Sequence, residues 1–117
     1  PSEGAWSRNV GPGRLPWSFP WRQLRASGAV LAFGSDWPVV TQDPLAGMRF
    51  AQARKDGAVT LDEAVAGYTS GPAYAARLEG ELGCLSPGCL ADVVIVPPGG
   101  DAKRPSHVLV DGQEIPR

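Results

Sequence analysis

The chain has 117 residues, a formal charge of −1, one histidine, two cysteines, 12 prolines and 15 glycines. That length sets a ceiling of one compact domain and can bury a core without disulfides or a metal. A charge near zero gives no electrostatic case for a nucleic-acid partner, and no apolar run approaches the roughly 20 residues of a membrane helix. Hydrophobic residues at 43% and charged residues at 20% describe a globular chain, and the glycine and proline excess describes one rich in turns. The first residue is Pro1, so a processed chain or a piece of something longer is expected. An arginine-, alanine-, glycine- and proline-rich composition suggests a GC-rich bacterial source. With no visible signal peptide, the expected compartment is the cytoplasm.

Residues 1–19 read as loops. Gly11-Pro12-Gly13 forbids regular structure, and Trp6, Trp17 and Phe19 suggest segments pinned by aromatic packing. A short helix follows Pro20, with Trp21, Leu24 and Arg25 at helical spacing and Gly28 as its C′ residue. Ala29-Val30-Leu31-Ala32-Phe33-Gly34 is apolar without alternation and bounded by glycines, the pattern of a strand buried on both faces of a parallel sheet. It runs into Ser35-Asp36-Trp37-Pro38. Asp43-Pro44 reads as an N-cap with proline at N1, opening a helix through about Lys55 with Leu45, Met48 and Ala51 or Gln52 along one side. Thr60-Leu61-Asp62-Glu63 is a capping box for a helix that covers Leu61, Ala64, Val65 and Tyr68. Ser70-Gly71-Pro72 starts another, running to about Leu78.

From Gly83 the pattern turns to strands. Ala91-Asp92-Val93-Val94-Ile95-Val96 is a strand ended by Pro97-Pro98-Gly99-Gly100. His107-Val108-Leu109-Val110 is a second strand, Asp111-Gly112 a type I′ hairpin signal, and Gln113-Glu114-Ile115 the return.

Asp36 is the leading chemical candidate. A carboxylate directly after a buried strand sits where open α/β sheets and β/α barrels place catalytic groups; the alternative is an aspartate that caps the following turn. Trp37, beside it, is the pocket candidate among the tryptophans, whereas Trp17 and Trp21 read as packing residues. Tyr68 and Tyr74 also read as packing. Arg14 could face an anionic substrate group or simply be solvated. His107 begins an edge strand and reads as a surface or interface residue, with no Ser/His/Asp set buildable around it. No H-x-H or H-E-x-x-H is present, so a metal site of the usual histidine type cannot be completed within this chain. Cys84 and Cys89 form C-x4-C without a second pair, which does not match a zinc ribbon; a disulfide between them is left open.

Phe19-Pro20-Trp21-Arg22, then ASGAVLAFGSDWPV and DPLAGM, resembles the last barrel strand of amidohydrolases, and in particular the amidohydrolase 3 group of that metal-dependent superfamily. TLDEAVAGYTSGPAYAARLEGELGCLSPGCLADVVIV is similar to the segment that follows it in that family, and VLVDGQEI to its closing strand pair. The resemblance covers roughly residues 14–115. It implies an α/β fold: the C-terminal portion of a β/α (TIM) barrel over residues 1–80, with the last strand at about 29–35, followed by the C-terminal strands of a small β-sandwich over 81–117. It implies a parent enzyme that hydrolyses carbon–nitrogen bonds other than peptide bonds in a small amide-type substrate, with a divalent metal, zinc, as cofactor. Asp36 matches the aspartate after strand eight and would ligate the metal and act as general base. The family's histidine ligands have no counterpart here. The isolated chain is therefore expected to be inactive and to hold no metal stably, and its partner would be the missing N-terminal part or another chain. The alternative is a non-catalytic structural or assembly module derived from such an enzyme. Neither nucleic acid nor membrane is an expected partner.

Overall fold

A computed structural model describes residues 5–98 and 104–116; the Gly99-Gly100 turn and the Trp6 side chain lie outside the described residues. In chain order come α1 (Ala5–Val10), a 3₁₀ turn (Leu15–Trp17), α2 (Trp21–Ala26), α3 (Pro44–Gln52), α4 (Leu61–Tyr68), α5 (Ser70–Ala76), β1 (Val93–Ile95), β2 (His107–Val110) and β3 (Gln113–Glu114). The first 19 residues are thus not all loop. Six residues of α1 are too few to show a helical period in sequence, and Gly11 at φ 80° stops the helix as its N–H bonds Ser7 O at 3.3 Å. Trp17 is 74% exposed, which corrects its reading as a packing residue.

The helix ends obey local rules. Past α2, Gly28 at φ 90° donates to Arg25 O at 2.9 Å and Ala29 to Leu24 O at 3.0 Å, the bond pair of a Schellman motif. Asp43 caps α3 by accepting from Leu45 N–H at 2.9 Å. That helix stops at Gln52, short of Lys55, because Arg54 is drawn into a tertiary contact. Its Nη2 donates to Ser18 O at 3.0 Å, and its guanidinium lies 5.3 Å from the ring centres of both Phe19 and Trp21. Both arms of the capping box at α4 are made: Glu63 N–H to Thr60 Oγ1 at 3.2 Å, and Thr60 N–H to Glu63 Oε2 at 2.8 Å. Arg25 Nε donates to the other Glu63 oxygen at 3.0 Å. The Thr60 N–H and the Arg25 charge hold the Glu63 carboxyl below its ordinary value of 4.5, against a smaller opposing effect of desolvation. α5 ends at Ala76, with Arg77 at φ 61°, two residues before the expected end.

The core is small and built from small residues. Ala51, Val59 and Ala64 are buried, with Trp21, Leu31, Phe33 and Met48 packed against them. α3 packs on α4 and α4 on α5. Aromatic rings link the layers: Trp21 lies 5.1 Å from Phe33, Phe33 lies 5.6 Å from Tyr68, and Phe19 lies 5.8 Å from Trp21. Tyr74, by contrast, is exposed.

Residues 29–34 differ from expectation. They join no sheet, and their burial alternates: Leu31, Phe33 and Ser35 are half-buried, while Val30, Ala32 and Gly34 are exposed. One side rests on helices; among the described residues no strand lies beside the segment to pair with it and cover the other. The Phe33 N–H instead donates to Gly67 O at 2.7 Å, at the last turn of α4. Glycines permit this approach. A Cβ at Gly71 would fall on the Leu31 carbonyl oxygen, and one at Gly67 on the Phe33 ring.

The three strands form an antiparallel sheet in the order β1-β2-β3, with Val93 opposite Leu109 and Leu109 opposite Glu114. Asp111 at φ 52° and Gly112 at φ 74° make the type I′ turn. β2 is the central strand, so His107 begins a central rather than an edge strand; the third strand, only two residues long, leaves too faint a period to show this in sequence. Val94, Val110 and Ile115 are about half exposed on this sheet.

Gly71→Ala forces the helix off the Leu31 carbonyl and should lower thermal stability by about 1–3 kcal/mol in a melt followed by circular dichroism. Gly80→Ala, where an added Cβ meets nothing within 4 Å, should stay close to wild type. The depressed Glu63 carboxyl contributes stability above the ordinary glutamate value of 4.5, and that contribution is lost as pH falls through the lower folded value. Glu63→Gln should therefore flatten the stability–pH curve below about 4.5 and leave its basic side unchanged.

Candidate active site

Asp36 sits where the segment docked on α4 and α5 leaves the helices. Phe33 anchors the segment three residues earlier through its bond to Gly67 and its rings contacts with Trp21 and Tyr68. Ser35 is half-buried and Asp36 is exposed. Asp36 adopts φ 50°, a left-handed conformation that aspartate tolerates better than most residues with a side chain. Its carbonyl accepts from Val39 N–H at 2.9 Å, closing a turn across a cis Trp37-Pro38 peptide, the geometry of a type VI turn. The backbone of Asp36 thus does take part in the turn, but through its carbonyl. The carboxylate is left outside the turn's backbone bond, available as an acceptor.

Trp37 is 65% exposed beside it, followed by Val39 at 73% and Val40 at 48%. This short run sets exposed apolar side chains next to the carboxylate. Arg14 is exposed at the start of the 3₁₀ turn, and its side chain has no polar partner among the described residues. No ion pair joins it to Asp36, so the structure does not bring these two candidates together.

Among the described residues, no three His, Cys, Asp or Glu side chains stand close enough to hold an ion. One carboxylate does not hold a divalent cation by itself, so the described donor set does not fit a complete metal site. No described helix is long and apolar enough to cross a membrane.

Two pairs were only partly legible in sequence. His107 Nδ1 lies 2.7 Å from Glu114 Oε1 across the hairpin, with both side chains more than half exposed. Its surface reading holds; the partner could have been found by projecting the hairpin register. Cys84 and Cys89, left open above, are joined by a disulfide. The approach of Gly67, at the end of α4, and Gly71, at the start of α5, to the docked segment was also missed.

Residues 3–116 match the model of the amidohydrolase family. The protein LONG AFTER FAR-RED 3 of Arabidopsis thaliana is 37% identical over 89 residues, covering 68% of this chain. The match spans about 15% of that relative's length. No solved structure matches significantly.

The left-handed backbone at Asp36 yields a stability test. Asp36→Asn keeps a residue type that tolerates this conformation and should melt within about 0.5 kcal/mol of wild type. Asp36→Val places a β-branched side chain at positive φ and should cost about 1–3 kcal/mol in the same melt.

Proposed function

The chain belongs to the amidohydrolase family, and on that premise we propose that it is the C-terminal part of a metal-dependent hydrolase acting on carbon–nitrogen bonds other than peptide bonds. The observation that carries this reading is the placement of Asp36. An anchored apolar segment ends in an exposed carboxylate held at a fixed backbone angle, at the position where the family resemblance puts a catalytic aspartate. In this reading, residues 29–35 are the last strand of a β/α barrel, and the sheet is part of a small β-sandwich.

The role of Asp36 follows from its chemistry. An ionised carboxylate is an acceptor only. Its Oδ takes a proton from the water that attacks the amide-type carbonyl, and after protonation can return it to the departing nitrogen. Trp37 borders the substrate beside it. Arg14 is a weaker pocket candidate. A divalent metal, zinc by resemblance, would supply Lewis acidity in the full-length parent, with Asp36 as one donor of a set completed by residues outside this chain. The arginine- and alanine-rich composition suggests a GC-rich bacterial source.

A second reading is a non-catalytic assembly module, and exposed apolar surface favours it. Val30, Trp37 and Val39 on the helical part, and Val94 and Val110 on the sheet, are each at least half exposed. Such surface needs a partner, either the remainder of a parent enzyme or another chain.

The two readings separate in a longer protein that carries this segment. There, Asp36→Asn should lower kcat about 10²–10⁴-fold with little change in KM. Unchanged turnover would defeat the catalytic assignment and favour the assembly module. The 117-residue chain alone should carry no stoichiometric zinc by elemental analysis and show no amidase turnover; metal-dependent turnover by this chain would refute the requirement for outside donors.

A further inference from the structure

Cys84 and Cys89 lie apart from the site just described. We propose that they form a thiol–disulfide exchange site, a reversible redox latch on the segment that joins the helical part of the chain to its sheet. The inference is independent of the hydrolase reading.

The pairing is unambiguous within one chain. The structure joins the two sulfurs, with Cα atoms 6.1 Å apart, and the sequence holds no other cysteine to compete. The site is also accessible. Both cysteines are half-buried, but Leu85, Ser86, Pro87 and Gly88 between them are exposed, Leu85 to 85%. The cysteines thus lie in an exposed loop outside the buried core, which a small thiol can approach from solvent.

The loop is held closed by more than the disulfide. Leu90 N–H donates to Glu81 O at 2.8 Å, and Cys89 N–H to Ser86 O at 3.1 Å. Gly83, at φ 72°, runs so close to α5 that an added Cβ would lie 2.7 Å from the Ser70 Cα. These contacts keep the two thiols near each other after reduction, so re-forming the bond is an intramolecular step at high effective concentration. A five-residue separation also closes only a small loop, so the fold does not rest on this bond as a long-range staple would.

The position gives the latch something to control. The principal packed pairs are helix on helix and strand on strand. Residues 77–92 are the covalent connection between the two groups, and the cysteines lie inside it. With the disulfide formed, residues 84–89 are tied across the loop; with it reduced, the backbone hydrogen bonds and the packing of Gly83 against Ser70 are the restraints that stay.

The reductant is a low-molecular-weight thiol such as glutathione. Its thiolate attacks one sulfur, the Cys84–Cys89 bond breaks, a mixed disulfide forms, and the released cysteine thiolate takes up a proton. A second thiolate attacks the sulfur of the reductant in the mixed disulfide, giving the second cysteine thiol and the oxidised reductant. Two electrons and two protons pass to the protein in all.

The test uses the full 117-residue chain equilibrated in buffers of graded reduced-to-oxidised glutathione ratio, then acid-quenched, alkylated and weighed by mass spectrometry. Two species should interconvert reversibly, differing by two alkylatable thiols. Amide hydrogen exchange at Cys89 and Leu90 should speed up about tenfold on reduction, while the amides of α3 and α4 stay unchanged. A Cys84→Ser/Cys89→Ser double variant should show the faster exchange in either buffer; if it does not fold, the oxidised and reduced wild-type forms carry the comparison. Thiols that stay reduced at every ratio, a bond that resists excess reduced glutathione, disulfides between two chains, or equal exchange in both redox states would each overturn the proposal. None of these readouts involves Asp36 or turnover, so the two readings fail separately.

Discussion

The docking of residues 29–35 onto the junction of α4 and α5 is the constraint on which the rest of the structure depends. It works because two glycines remove the side chains that would hold the backbones apart. At Gly71 the helix meets the Leu31 carbonyl, and at Gly67 it meets the Phe33 ring. Gly67 O, one of the carbonyls that the end of α4 cannot satisfy internally, is then free to accept the Phe33 N–H at 2.7 Å. A single bond thus answers both a helix-end requirement and the need of an unladdered segment. Asp36 inherits its position from that anchor three residues upstream.

A second layer of contacts holds the anchor from the other side. Phe33 packs at a tilt against Trp21 and Tyr68, and Trp21 reaches Phe50 and Phe19. Arg54 sits over this aromatic group and bonds the Ser18 carbonyl, tying the segment before α2 to the end of α3. Among the described residues the buried apolar side chains are alanines and one valine, so apolar burial alone is thin, and the larger rings contribute while still partly exposed. That balance fits a family member whose described part leaves Val30, Trp37, Val39, Val94 and Val110 at least half exposed.

Much of the local structure was legible because its determinants lie within a few residues of each other. Asp43 and Pro44 start α3, Thr60 and Glu63 close a capping box, Gly28 ends α2, and Asp111-Gly112 turns the hairpin, each with the expected bonds. The amidohydrolase likeness was legible for the same reason: it rests on short contiguous strings such as the one around Asp36. Less legible were features with distant partners. The apolar run 29–34 reads as a doubly buried strand whether or not a neighbouring strand is present. The early end of α3 depends on Arg54 finding rings more than 30 residues away in sequence, and the exposure of Trp17 depends on nothing else covering it.

The sequence by itself determined the helix caps, the hairpin turn, the family and the candidate carboxylate. These depend on side chains acting on their own backbone neighbours, or on residue identity alone. Only the tertiary structure decided that residues 29–34 dock on glycines instead of pairing in a sheet, and that Arg54 reaches Phe19, Trp21 and the Ser18 carbonyl. Each of those requires two separate segments to approach in space, and the room for that approach is set by the packing of the whole chain rather than by any local string.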